Sequence, residues 1–298
     1  MLTLTGFADE AGQDLAAQIK ATKELGWTHI ESRNIDGANI HNLADADFAR
    51  AADALDAAGI KVNCFGSAIM NWQHEIDDDF AVTLEEVRRT IPRMQRLGSK
   101  LIRVMSYAVR KNPDGTDAAD QKEAERFRRV REVKKMFDDA GITMVHENCM
   151  NYGGMGPRHT LRLLENVPGL RLVFDTGNPV FTDNRDAGVT PCPKQSSWEF
   201  YQTVRPHIEY IHIKDGKWDA AAKKCDYTFA GEGDGDVERI LRDAVASGYQ
   251  GMVSIEPHIS AVFHEKGGAV PAETLYRSYV EYGQRFMRLL DKIGVAYH

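Results

Sequence analysis

Five times along the chain a helical stretch halts at a glycine and a β-rich run begins within a few residues, and this repetition constrains the fold more than any other feature. Leu25-Gly26-Trp27 precedes His29-Ile30-Glu31, Ala58-Gly59-Ile60 precedes Lys61 to Phe65, and Leu97-Gly98 precedes Leu101 to Val104. Ala140-Gly141-Ile142 precedes Thr143-Met144-Val145, and Ser247-Gly248-Tyr249 precedes Met252 to Ile255. Glycine tolerates the left-handed backbone that closes a helix, so each site is a predicted helix C-cap feeding a strand.

Thr3 to Ala8, Leu170 to Phe174 and Ile208 to His212 complete a series of eight strands alternating with helices. Their spacing is about the 30 to 45 residues of a βα unit. Leu15, Ile19 and Leu25 follow the N-cap candidate Asp14 at helical intervals, and Pro92 should kink the helix that contains it. No linker or low-complexity tract breaks the series, so residues 1–298 are expected to form one domain, an α/β (β/α)₈ TIM barrel. A doubly wound open sheet is the alternative; it would favour a GxGxxG after the first strand, and none is there.

The last four predicted strands each end in a residue that can bind metal: His146-Glu147-Asn148, Phe174-Asp175-Thr176, Ile211-His212-Ile213 and Ile255-Glu256-Pro257. In a barrel, strand C-termini converge on one mouth. Strand side chains alternate faces, so Val145 with Glu147, Val173 with Asp175, Tyr210 with His212 and Ser254 with Glu256 each share a side. A solvent-exposed acid at a strand end explains any one of these residues. It does not explain four on consecutive strands with matching parity.

Three carboxylates and an imidazole suit a divalent ion such as Mn²⁺, Mg²⁺, Co²⁺ or Zn²⁺, and oxygen-rich ligation favours the harder ones; Mn²⁺ is the expected cofactor. Without a cation such a cluster would repel itself and take up protons.

The remaining composition narrows the partners. The net charge is −7, with no basic stripe interleaved with aromatics, so a nucleic-acid partner is not expected. No stretch is apolar enough to span a membrane, and Met1 to Gly6 lacks a secretory signal pattern; the expected location is cytoplasmic. Cys64, Cys149, Cys192 and Cys225 lie far apart without a CxxC pair and read as free thiols.

Taken in order, Gly6-Phe7-Ala8-Asp9-Glu10, Ile30-Glu31-Ser32-Arg33, His146-Glu147-Asn148, Phe174-Asp175-Thr176-Gly177-Asn178, His212-Ile213-Lys214-Asp215, Gly231-Glu232-Gly233-Asp234-Gly235 and Ile255-Glu256-Pro257-His258 carry a resemblance. The chain resembles, almost end to end, the xylose-isomerase-like sugar isomerase/epimerase superfamily (AP endonuclease family 2), which includes inosose dehydratases and type IV endonucleases. The resemblance implies a metal held by Glu147, Asp175, His212 and Glu256, with Glu147 and Glu256 also the catalytic acid/base pair. The implied reaction is proton abstraction next to a carbonyl through a metal-stabilised enediolate, on a sugar or keto-sugar.

Two departures from the free-ketohexose 3-epimerases stand out. Asn178 occupies a position where they carry His, and Lys214-Asp215-Gly216-Lys217-Trp218 replaces an Arg-containing stretch. The chain is nearer the branch acting on inositol ketones or 3-keto-glycosides, where β-elimination by the same site is the alternative outcome.

Lys214 and His258 share the inward parity of their strand's ligand and are expected substrate contacts. His146 faces the helix layer if its strand stays regular, yet a strand-end twist would bring it to substrate, so it joins them as a candidate. Asn148 and Asn178 are candidates to orient the carboxylates. Trp72, Tyr107, Tyr152 and Trp218 fall near predicted βα loops, where aromatic faces stack on sugars. Residues 151–157 read as a flexible loop able to cover the mouth. A homo-oligomer or a complex with a small subunit is compatible with the sequence, as is a sugar-binding barrel without turnover.

Overall fold

The computed structural model describes residues 1–260 and 270–298. Eight parallel strands form its wall: β1 Thr3–Gly6, β2 His29–Ser32, β3 Lys61–Gly66, β4 Leu101–Val104, β5 Thr143–Glu147, β6 Arg171–Asp175, β7 Ile208–Ile213 and β8 Met252–Ile255. They pair in the order β1-β8-β7-β6-β5-β4-β3-β2, and a parallel bridge from Phe7 to Glu31 brings β1 against β2 to close the ring. The expected barrel is therefore present.

Helices α1 Leu15–Glu24, α2 Asp45–Ala58, α3 Phe80–Leu97, α4 Glu123–Asp139, α5 Pro157–Asn166, α6 Ser197–Val204, α7 Val237–Ala246 and α8 Ala272–Ile293 surround it. The glycine stops are where the sequence put them: Gly59 (φ 68°) and Gly98 (φ 67°) are left-handed caps of α2 and α3. α3 runs unbroken through Pro92. No described helix is long and apolar enough to cross a membrane.

Large apolar side chains fill the space between sheet and helices, among them Phe174, Phe200, Tyr282 and Phe286 on one side and Val104, Val133 and Phe137 on the other. Inside the barrel, Cys64, Val145, Val173 and Tyr210 form a buried layer. That layer confirms the inward parity of β5, β6 and β7 and floors the mouth above it.

At the opposite end, residues 296–298 run alongside β1. Leu2 N donates to Ala296 O (2.9 Å), His298 N to Leu2 O (2.9 Å), and Leu4 N to His298 O (3.2 Å).

Two short hairpins at the mouth were not anticipated. Asn34–Ile35 pairs with Ala38–Asn39 across Asp36-Gly37, both with positive φ (51° and 79°). That is the Asp-Gly turn whose twist suits a tight hairpin, a signal present in the sequence. Asp215–Asp219 pairs with Lys224–Thr228 as a longer ribbon. Its base is fixed by Asp215, whose Oδ1 accepts from Gly216 N (2.9 Å) and Gly235 N (2.8 Å), and Oδ2 from Gly231 N (2.8 Å) and Gly233 N (3.0 Å). The glycine-rich run 231–235 is thus a cradle for a carboxylate of this chain.

Candidate active site

The four proposed ligands converge. Glu147 and Asp175 end β5 and β6, His212 lies in β7 and Glu256 follows β8; each offers a ligand-type atom within 4.8 Å of the others, and all four are buried. Regular strand alternation above the Val145, Val173 and Tyr210 layer aims these side chains into one space.

Three basic side chains answer the acids. Arg103 Nη1 lies 3.1 Å from Glu147 Oε2, and Arg33 Nη1 lies 2.9 Å from Glu256 Oε1. Lys214 Nζ bridges two ligands, 3.1 Å from Asp175 Oδ2 and 2.9 Å from Glu256 Oε2. Burial works to raise Glu147, but Arg103 and His212 outweigh it and hold the carboxyl at about 2. For Asp175 burial wins over Lys214 and pushes the carboxyl up to about 7. Burial alone would depress His212, yet Glu31 and Glu147 hold it up at about 10. Glu256 stays well below the usual range because Lys214, His258 and Arg33 overcome its burial.

This donor set fits a divalent cation. His212 Nδ1 is buried without a hydrogen-bond partner and stands 3.8 Å from Glu147 Oε1 and 3.9 Å from Glu256 Oε2. Its other nitrogen, Nε2, lies 2.9 Å from Glu31 Oε2. A carboxylate behind a histidine, with the far nitrogen facing acids, is the usual way proteins fix a ligating imidazole. Glu31 is held in turn: Tyr210 Oη donates to its Oε2 (2.8 Å), Asn63 Nδ2 to Tyr210 Oη (2.9 Å), and Thr5 Oγ1 to Asn63 Oδ1 (3.0 Å). Asp175 Oδ2 is likewise buried without a hydrogen bond, while Oδ1 accepts from Gly177 N (2.8 Å) and Asn178 N (2.7 Å).

Glu31→Gln should lower metal affinity about tenfold or more, because the imidazole loses the negative charge held 2.9 Å behind it. Calorimetric titration with Mn²⁺ reads the change directly. An unaltered affinity would mean that Glu31 does not support the ligand.

A second group, Glu10, Glu256 and His258, also brings ligand-type atoms within 4.8 Å. Glu10 is already engaged: its Oε2 accepts from His258 N (2.8 Å), and its Oε1 lies 2.9 Å from His258 Nδ1 and 3.3 Å from Arg33 Nη2. These contacts hold His258 in a left-handed backbone conformation (φ 53°) with Nε2 3.6 Å from Glu256 Oε1.

The mouth cavity, about 260 Å³, is lined by Glu147 and Glu256 together with Lys214 and His258, where both were expected. His146 is a correction. It lies outside this lining, fully buried, its Nε2 3.0 Å from both Ser106 Oγ and Asn151 Oδ1, with Gly153 packed on the ring. β5 stays regular, so the residue beside an inward Glu147 must face the helices, and burial there depresses the imidazole to about 4.

Asn178 does orient a carboxylate, its Nδ2 donating to Glu147 Oε1 (3.0 Å). Asn148 instead clasps the Asp175 backbone, accepting from its N (2.7 Å) and donating to its O (3.0 Å). Of the four aromatics only Trp72 reaches the cavity; Tyr107 and Tyr152 are buried in the helix layer, and Trp218 stacks under Lys194 Nζ at 3.7 Å. Residues 151–156 are buried too, so this segment is packed wall and not a cover.

Sequence reading missed Arg33 and Arg103, both cavity-lining. A charged residue in the apolar run Leu101-Ile102-Arg103-Val104 was the available signal for the second.

A family model described as xylose isomerase-like TIM barrel matches residues 19–285. A xylose isomerase-like TIM barrel protein from Mycobacterium smegmatis, solved in complex with magnesium, superposes with TM-score 0.68 at 16% identity, covering 98% of this chain and 97% of that one. A probable 3-DHS dehydratase involved in petrobactin synthesis from Bacillus anthracis gives 0.64 at 17%, covering 94% and 98%. A 3-keto-D-glucoside 4-epimerase from E. coli gives 0.62 at 16%, covering 96% and 100%. No curated protein matches the chain by sequence. At these identities the solved structures support the fold.

Proposed function

Because this chain belongs to the xylose isomerase-like TIM barrel family, we propose that it is a divalent-metal-dependent enzyme that removes a proton from the carbon next to a carbonyl of a sugar or keto-sugar. The observation that carries this reading is the meeting of Glu147, Asp175, His212 and Glu256 within 4.8 Å at the cavity floor, two of them also lining its wall.

Those four residues hold the ion, for which Mn²⁺ is our choice ahead of Mg²⁺, Co²⁺ and Zn²⁺. When bound, the ion supplies positive charge to a carbonyl and its neighbouring hydroxyl, lowering the cost of negative charge there. Glu147, kept ionised by Arg103, takes the proton from carbon; Glu256, also ionised at rest, returns one after taking it up from water. Asp175 and His212 serve as ligands only.

β-Elimination is the second reading. Lys214 and His258 favour it: both line the cavity beside Glu256, where they can meet a departing oxygen. The neighbour solved with magnesium, the probable dehydratase and the 4-epimerase are compatible with either outcome.

Incubation with 3-keto-glucose derivatives and free ketoses in D₂O, with saturating Mn²⁺, separates these readings. Deuterium on carbon in intact sugar is the expected result for epimerisation, and an unsaturated or cleaved product for elimination. Unlabelled, unchanged sugar throughout would overturn the proposal.

A further inference from the structure

Phe7 sits at the seam where the barrel closes. Its backbone N donates to Ile255 O (3.0 Å), and a parallel bridge ties it to Glu31. The ring is fully buried and lies outside the cavity lining, so it does not meet the mouth directly. It is also closely seated, for a Cβ on Gly66 would lie 2.9 Å from its Cε1.

Three groups of the metal centre gather on this one ring. The guanidinium carbons of Arg33 and Arg103 lie 4.3 Å and 5.0 Å from the ring centroid. The His212 ring meets it at 72°, with centroids 5.0 Å apart. The two guanidiniums repel one another, yet the negative face of an aromatic ring attracts a cation without using a hydrogen bond. Arg103 has need of such a neighbour: its Nε is buried with no hydrogen-bond partner among the described residues.

Beyond the ring the arrangement is nearly symmetrical. Arg103 Nη1 holds Glu147 Oε2 at 3.1 Å, and Arg33 Nη1 holds Glu256 Oε1 at 2.9 Å. The other oxygens, Glu147 Oε1 and Glu256 Oε2, lie 3.8 Å and 3.9 Å from His212 Nδ1. Each guanidinium therefore occupies one oxygen of its glutamate and leaves the second on the side of the imidazole.

We infer that Phe7 is a positioning residue for the metal centre: its ring anchors Arg33 and Arg103 behind the two glutamates and so sets which carboxylate oxygens face the ion. This rests on the metal-binding reading above.

The test replaces Phe7 with mono-, di- and trifluorinated phenylalanine, nearly isosteric rings whose negative face weakens stepwise. Calorimetric titration with Mn²⁺ should show affinity falling at each step. The fall should reach about tenfold or more across the series, as loss of a desolvated cation–π contact requires. Phe7→Leu, apolar but without a ring, should bind at least as weakly as the trifluorinated chain. In Arg103→Met the fluorine dependence should drop to about half, because one of the two cations is gone. Thermal melts show whether each chain is folded. Affinity independent of fluorine content assigns the ring to packing alone; it overturns the inference and leaves the metal reading standing. A dependence unchanged in Arg103→Met also overturns it, since the ring then acts without that guanidinium. A wild-type chain that binds no Mn²⁺ overturns both.

Discussion

Glu256→Gln, purified and saturated with Mn²⁺, should turn over substrate about 10²–10⁴-fold more slowly than the wild-type chain. Glutamine keeps an oxygen that can ligate and roughly the same volume, but it cannot exchange a proton. Glu147→Gln should suffer a comparable loss, because Arg103 and Asn178 position that carboxylate from two sides. Single-turnover rates at saturating metal separate this from weakened metal binding, and far-ultraviolet circular dichroism shows whether the barrel is intact. Near-normal turnover in either folded variant would remove that glutamate from the acid/base role.

Lys214→Met should have two opposed consequences. The ammonium bridges Asp175 and Glu256, both candidate ligands, so it competes electrostatically with any divalent ion. Its removal should tighten Mn²⁺ binding about tenfold or more, since one unit charge at this range is worth at least that much in a partly buried setting. The metal-free variant should lose about 3–5 kcal/mol of stability, because two buried carboxylates are left without their shared cation. Denaturant melts with and without Mn²⁺ read both effects; a variant that binds metal more weakly would assign Lys214 a supporting role instead.

Acidity adds a related expectation. Asp175 is pushed up to about 7 and must be ionised to ligate. His212, held up at about 10, must lose its proton to ligate as well. Metal affinity should therefore fall as pH drops from 10, by about tenfold per unit, and more steeply below 7 once the Asp175 carboxyl is protonated too.

Much of this was legible in the residues themselves. Glycine caps and strand spacing gave the barrel, because helix termination and strand alternation are local effects that each segment carries alone. Parity then brought Glu147, Asp175, His212 and Glu256 to one face. What escaped depends on contacts between distant segments. Arg33 meets Glu256 across 223 positions, and Asp215 gathers the amides of residues 231–235; neither partnership has a periodic signature. Tyr152 and Tyr107 sit where sugar-stacking rings are found, yet apolar packing took them, as it takes most large aromatics. The Asp36-Gly37 turn was the exception, readable but unread.

The seating of β1 bears on how the protein is made. Apart from a single bridge to Glu31, its backbone partners are β8 and residues 296–298, synthesised some 250 residues later. During translation the first strand therefore waits with one edge unsatisfied until residues 252–298 have emerged. Such delayed long-range pairing slows folding and leaves an exposed edge open to wrong partners. Ribosome-bound chains halted before residue 252 should remain protease-sensitive at residues 1–8, and release of longer chains should protect that segment.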